Sequence, residues 1–303
     1  MLLGRLKIGA FATVGVCATV ALAGCGSSSS SSASSNKVTR AAFVSTNTAG
    51  YQMHFTLRLG SSALSQAINA TGGGAFDVRD HSGALVLDMN LGSSPQITQV
   101  LGSSTLHMEE VINRTTIYVK LPDALTSKIP SLSGKPWIKV DLAQAASAAG
   151  VPGISSLVNN PASSDPSQFL QYLRAAGTVS QDGSEVVNGI QTTRYKATIS
   201  LDRVPDAVPS ASRSSAQAAV KGIEKLTNLH QVPVVVWIDD HNLVRRLQLS
   251  LNESLQTGQT VNTQITVDLV KYGPQPKPTL PPSDQVTDVS SLSGAAGSSG
   301  SSG

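Results

Sequence analysis

Residues 51–59 read YQMHFTLRL: Tyr51, Met53, Phe55, Leu57 and Leu59 occupy one set of alternate positions, and Gln52, His54, Thr56 and Arg58 the other. Successive side chains of an extended chain point to opposite faces. The stretch is therefore a strand with one apolar face and one wet face. The same period returns in Leu85, Leu87, Met89 and Leu91, in Leu106 and Met108, and in Ile117 and Val119. Ile138, Val140 and Leu142 alternate against Trp137, Lys139 and Asp141. Further strands are expected over residues 191–201, 232–239, 243–251 and 261–270. In the last of these, Val261, Thr263, Ile265, Val267 and Leu269 share a face. Short turns such as residues 239–242 predict antiparallel hairpins in one large sheet. Gly72-Gly73-Gly74, ahead of the next alternating run, reads as a turn.

Helical spacing is confined to the middle of the chain. Asp165 and Pro166 supply a cap and a first-turn proline, after which Phe169, Leu170 and Leu173 share a face. Residues 214–229 repeat Ala216, Val220, Ile223 and Leu226 at three-to-four spacing, and residues 141–149 form a third candidate. Strands in a run with helices inserted between them predict an α+β fold.

The ends carry different information. Arg5 and Lys7 precede an apolar run over residues 8–22, about 15 residues long. A bilayer-spanning helix needs roughly 20, so residues 1–24 read as a signal peptide. Leu22-Ala23-Gly24-Cys25 follows directly and resembles the bacterial lipobox, which implies a diacylglyceryl group on the Cys25 sulfur. The only other cysteine, Cys17, lies in the segment to be removed, which leaves no disulfide. Two acyl chains at about 0.8 kcal/mol per buried CH₂ anchor a chain firmly. Residues 25–36, the lipidated cysteine and a serine run, read as a flexible tether. Residues 37–272 form the folded domain, and the Pro/Gly/Ser-rich residues 273–303 read as a disordered tail.

Removal of Arg5 and Lys7 leaves 20 basic against 19 acidic side chains. A chain so near neutrality lacks the basic face of a nucleic-acid binder, so no nucleic-acid partner is expected. No catalytic arrangement is visible. The five histidines, His54, His81, His107, His230 and His241, show no metal-ligand spacing, and no cofactor fingerprint is present. No nucleophile elbow occurs in the folded region. Glu109 and Glu110 point to opposite faces of one strand, which denies them a shared acid–base role. Glu110 falls with Leu106 and Met108 and reads as a residue of an edge strand. The three mature methionines, Met53, Met89 and Met108, lie on apolar strand faces, as core filler or as an adaptable lining.

Three stretches carry a resemblance: GKPWIKVD at 134–141, GSEVVNGIQTTRY at 183–195, and VVVWID at 234–239 followed by LVRR at 243–246. Their order and spacing resemble actinobacterial envelope lipoproteins of the LppX/LprG type, which share a fold with the LolA and LolB lipoprotein carriers. The resemblance implies a large, strongly curved antiparallel sheet, a half-open barrel, with helices on its concave side. It also implies an apolar cavity for the acyl chains of lipids or lipoglycans. Strand alternation nominates Met53, Phe55, Leu57, Leu85, Leu87, Met89, Met108, Ile117 and Val119 for that cavity. Helical spacing adds Phe169, Leu173, Val220 and Ile223. The expected function is binding or transfer of acyl lipid by a membrane-anchored, non-enzymatic lipoprotein facing outward from the cytoplasm. The alternative is an envelope sensor or assembly factor that binds another envelope protein on the same fold. Alternation reports which face is apolar and leaves open whether that face is filled.

Overall fold

The structure is a computed structural model that describes residues 26–62, 66–92, 102–127, 132, 134–142, 144, 166–208, 210, 213–227, 229–254 and 260–289. Six strands precede the helical segment: β1 (Gly50–Ser61), β2 (Ile68–Asp77), β3 (Ser82–Asn90), β4 (Thr105–Asn113), β5 (Thr116–Lys120) and β6 (Trp137–Asp141). Five follow it: β7 (Ala176–Val187), β8 (Ile190–Ser200), β9 (Gln231–Ile238), β10 (Val244–Ser254) and β11 (Thr260–Tyr272). A short β12 (Val286–Asp288) ends the described chain. All twelve join one sheet in the order β12-β6-β5-β4-β3-β2-β1-β11-β10-β9-β8-β7. The sheet is curved and unclosed, and every pairing is antiparallel except the parallel β12–β6 edge. It thus consists of two meanders, β1–β6 and β7–β11, joined where β1 lies beside β11.

Alternation on β1 decides the inner face. Tyr51 and Met53 are buried, Phe55, Leu57 and Leu59 half-buried, and Gln52, His54, Thr56 and Arg58 exposed. The helices α1 (Gly26–Thr46), α2 (Asp123–Thr126), α3 (Val204–Ala207) and α4 (Arg213–Thr227) are joined by a 3-10 helix, Pro166–Ala175. Helix α1 packs on the 3-10 helix and on β7, β9 and β10, and α3 packs on the 3-10 helix and α4. Val38, Ala41 and Ala42 of α1 and Leu170 and Leu173 of the 3-10 helix close the core against Val179, Val234, Val236 and Leu269. Polar ties fix this packing. The Val244 N–H donates to Ser45 Oγ at 2.9 Å, and the Tyr272 hydroxyl donates to the Val244 carbonyl at 2.5 Å. Burial pushes the Tyr272 hydroxyl well above the ordinary tyrosine range. Arg245 Nε meets Asp239 at 2.7 Å in an almost dry pair.

Several expectations change. Gly72-Gly73-Gly74 is no turn but the middle of β2, paired to β1 and β3. A methyl group at Gly72 would lie 2.5 Å from Phe55 Cζ, and one at Gly74 would lie 2.7 Å from Leu85 Cδ2. Missing side chains on β2 let those of its neighbours lean across it, as an aromatic cross-strand partner does over a strand glycine. Residues 26–36 are not a free tether, because α1 begins at Gly26. Serine lies only about 0.5 kcal/mol below alanine in helix propensity. A helix pinned at Val38, Ala41 and Ala42 propagates backward without a fresh nucleation cost.

Nor is the tail disordered from residue 273: residues 274–282 are irregular but tied to the domain. Gly273 turns the chain at φ 123°, and the Gln275 N–H donates to Asp77 Oδ2 at 3.3 Å. Lys277 then pairs with Asp80 at 3.0 Å, and β12 reaches the β6 edge. Residues 290–303 lie outside the described residues. The segment after Asp165 is helical but of 3-10 type, and of residues 141–149 only Leu142 and Gln144 are described as helical. Strand β7 went unanticipated because its register shifts twice, between Ala176 and Val179 and between Gln181 and Ser184. Such irregularities erase the period of two.

Candidate functional site

Strand register sorts the inner face into rows. Met53 faces Gly74, Gly74 faces Leu85, Leu85 faces Glu110, and Glu110 faces Val119. In the next row Phe55 leads through Gly72 to Leu87 and Met108. Beyond it, Leu57 leads through Ala70 to Met89 and Leu106. On the other side of Met53, Tyr51 leads through Phe76 and Gly83 to Ile112 and Ile117. The first and last of these rows run on to Ile138 and Val140 of β6.

The rows differ in cover. Near Tyr51, Phe76 and Ile112 they are buried. Toward Leu57, Leu85, Leu87, Met89, Leu106, Met108 and Val119 they are half-buried. Among the described residues, the main helix contacts fall on β7–β10 rather than on β2–β5, although Phe55, Leu85 and Ile117 touch the edge of the helix-covered core. The result is a continuous apolar surface that is neither packed shut nor fully wet, a suitable lining for long apolar groups.

Glu110 breaks the pattern. It lies on β4, an interior strand between β3 and β5, so the expected edge position is wrong. The residues beside it on the same face are Leu85, Val119, Met108 and Ile112. Burial among them pushes its carboxyl above the ordinary value of 4.5. No described residue forms a hydrogen bond or ion pair with it. The charges of these strands pair on the outer face, where Lys120 meets Glu109 at 2.6 Å and His107 meets Asp88 at 2.7 Å.

Of the nominated residues, the structure gathers Met53, Phe55, Leu57, Leu85, Leu87, Met89, Met108, Ile117 and Val119 on this one face. Leu173 of the 3-10 helix and Val220 of α4 are buried in the helix-covered core, which also takes in Met53, Phe76 and Ile112. Phe169 and Ile223 fall within helices, but their side chains lie outside the described residues, as does Cys25. Glu110 was legible as an apolar-face residue; its interior position depends on strand order, which a sequence does not carry.

Other surface features point elsewhere. A depression of about 350 Å³ is lined by Thr178, Ser180, Lys196, Gln248 and Ser250 with their neighbours, and one of about 390 Å³ by Lys37, Gln191, Thr193, Asp239 and theirs. The second mixes charged and hydroxyl groups with apolar ones and suits water better than acyl chains. The first also exposes Ala197, Pro233, Val234 and Val235 and is mostly apolar, but it lies across β7–β10 rather than on the rows described above. Asp239, Asp240 and His241 bring three possible metal ligands together at the β9–β10 turn. Asp239 is already engaged by Arg245 and by the Leu243 N–H at 2.8 Å, which gives it a structural role. No described helix is long and apolar enough to cross a membrane.

The chain is similar to solved mycobacterial lipoproteins. LprF from Mycobacterium bovis matches over 82% of this chain and 97% of its own, at 13% identity and a TM-score of 0.43. The lipoprotein LppX from Mycobacterium tuberculosis matches over 81% of this chain and 98% of its own, at 13% identity and a TM-score of 0.41. A LolA superfamily protein from Nitrosomonas europaea matches over 82% and 94%, at 7% identity and a TM-score of 0.27. No family model and no curated protein matches the chain.

Proposed function

We propose that the chain is a lipid-binding or lipid-transfer lipoprotein of the cell envelope, anchored through a diacylglyceryl group on Cys25. The observation that supports this reading is the half-buried apolar face toward Leu57, Leu87, Met89, Leu106, Met108 and Val119, away from the main helix contacts of the described residues. The function is physical rather than catalytic: acyl chains leave the bilayer for that face, and the gain is the apolar surface removed from water, at about 25 cal/mol per Å². The LAGC stretch directly after the apolar leader supports the anchor and a location on the outer side of the cytoplasmic membrane.

Native mass spectrometry of the full chain, purified from a host that makes and exports it, tests the reading. Stoichiometric acyl lipid that is lost on partial unfolding is the expected result. A ligand-free mass that takes up no added lipid overturns it, and the apolar face then becomes the place to seek an envelope protein partner. Replacing Cys25 by alanine is expected to move the protein from the membrane to the soluble fraction with an unchanged melting curve, because Val38 is the first fully buried side chain among those described in α1. A variant that stays membrane-bound removes the anchor from the proposal.

A further inference from the structure

Across β1 to β6, the described inner face carries a single carboxyl group, that of Glu110. A half-buried acid among apolar side chains, with no partner among the described residues, is disfavoured as a carboxylate and gains from a ligand that pairs with it. Leucine or valine, the residues across from it on both sides, would fill the same position more stably. Nor can the charges of the neighbouring strands reach it. From β3 the inner face presents Leu85, Leu87 and Met89, from β5 Ile117 and Val119, and from β6 Ile138 and Val140. Tyr51, the other titratable group on these rows, lies on β1 beside Phe76. Lys120, His107, Asp88 and Glu109 occupy the outer face in their own pairs. Glu110 is therefore a hydrogen-bonding group in an apolar field with which no described residue pairs.

We propose that Glu110 is the polar recognition residue of this face: in its neutral form it donates its O–H to an ester or hydroxyl oxygen of a bound, uncharged acyl lipid. The proposal rests on the lipid-binding reading and names the ligand class that reading leaves open. It has a thermodynamic consequence. A lipid lying over Glu110 removes more water from it and disfavours the carboxylate further, so binding takes up a proton and weakens as pH rises.

The test uses the full chain and two probes delivered from phosphatidylcholine vesicles: a diacylglycerol with one pyrene-labelled acyl chain, and an alkylpyrene of matched length that carries no oxygen. Affinities are measured at about pH 5 and about pH 8, with up to tenfold weakening for each unit by which the ligand raises the carboxyl. For the wild type, the diacylglycerol is expected to bind more tightly at the lower pH. Glu110→Gln, whose amide still donates, is expected to bind it within about threefold of the low-pH wild type and to lose the pH dependence. Glu110→Leu is expected to lose about five- to tenfold for the diacylglycerol, the worth of one hydrogen bond, while binding the alkylpyrene at least as well as the wild type. Equal losses for both probes, a flat wild-type profile, or binding that tightens as pH rises overturns the assignment and leaves the lipid-binding reading standing. A folded wild type that binds neither probe overturns both.

Discussion

On β7–β11 the inner-face residues Val179, Val234, Val236, Leu247 and Leu269 are all but dry beneath α1 and the 3-10 helix. On β3–β5, Leu85, Leu87, Met108 and Val119 keep part of their surface in water. Both halves carry apolar side chains on one face of a continuous sheet. Among the described residues, what separates them is where the main helix contacts fall, so apolarity of a face and its occupancy are independent properties here. The filled half supplies a rigid floor, and the open half supplies surface for something else.

Truncation tests that separation most severely. Leu173→Ala removes a fully buried side chain from the filled half and is expected to destabilise by about 2–5 kcal/mol, the transfer and cavity terms together. Leu87→Ala in the open half is expected to lose only about 1 kcal/mol, because the site is already partly solvated. Urea denaturation of both variants measures the contrast. Equal losses would mean that the halves are packed alike.

The glycines of β2 come next. A methyl group at Gly74 would sit 2.0 Å from the Ala84 carbonyl oxygen and 2.7 Å from Leu85 Cδ2. Gly74→Ala is expected to destabilise by about 1–3 kcal/mol, as overpacking does. It also displaces Leu85 from the open rows, so bound lipid should weaken along with stability. A neutral Gly74→Ala in thermal melts would show that Leu85 moves freely, and that the open half is looser than its register suggests.

These results bear on what the sequence could convey. Alternation over residues 51–59 fixes the face of β1 because Tyr51, Met53 and Phe55 are large and the intervening residues polar. Strand β2 hides the same information: three glycines carry no hydropathy signal, and their reason for being glycine lies in Phe55 and Leu85 on the flanking strands. Strand β7 hides it differently, through register shifts. The serine run gives a third failure, since its helix is dictated by what α1 packs against and not by its own composition. The apolar lining was legible residue by residue; which part of it the helices cover depends on long-range packing.

Milder changes separate function from fold within the open half. Leu87→Gln keeps volume and adds an amide that partial solvation tolerates, so its stability loss is expected to stay below about 1 kcal/mol. Lipid uptake is expected to fall by roughly tenfold or more, since a buried, unsatisfied amide opposes each bound chain. Uptake and stability falling in proportion would argue that Leu87 serves only the fold.

The smallest expected effect is the most specific to this half of the sheet. Glu110 titrates above its ordinary value because the folded state disfavours its charge. In the linkage, a raised acid is neutral in both states at low pH, where it causes no loss, and its unfolded form releases a proton first as pH rises. The wild type should therefore lose stability from about pH 4.5 upward until the folded carboxyl has also ionised, and then level off. Glu110→Gln should hold its stability across that window, so the difference between the two grows with pH. It is expected to stay below about 1 kcal/mol, because water reaches a half-buried carboxyl and screens it. Denaturation midpoints at a series of pH values measure the difference. A constant gap would mean that the open half is wet enough to solvate a charge, and a surface that wet would bind acyl chains poorly.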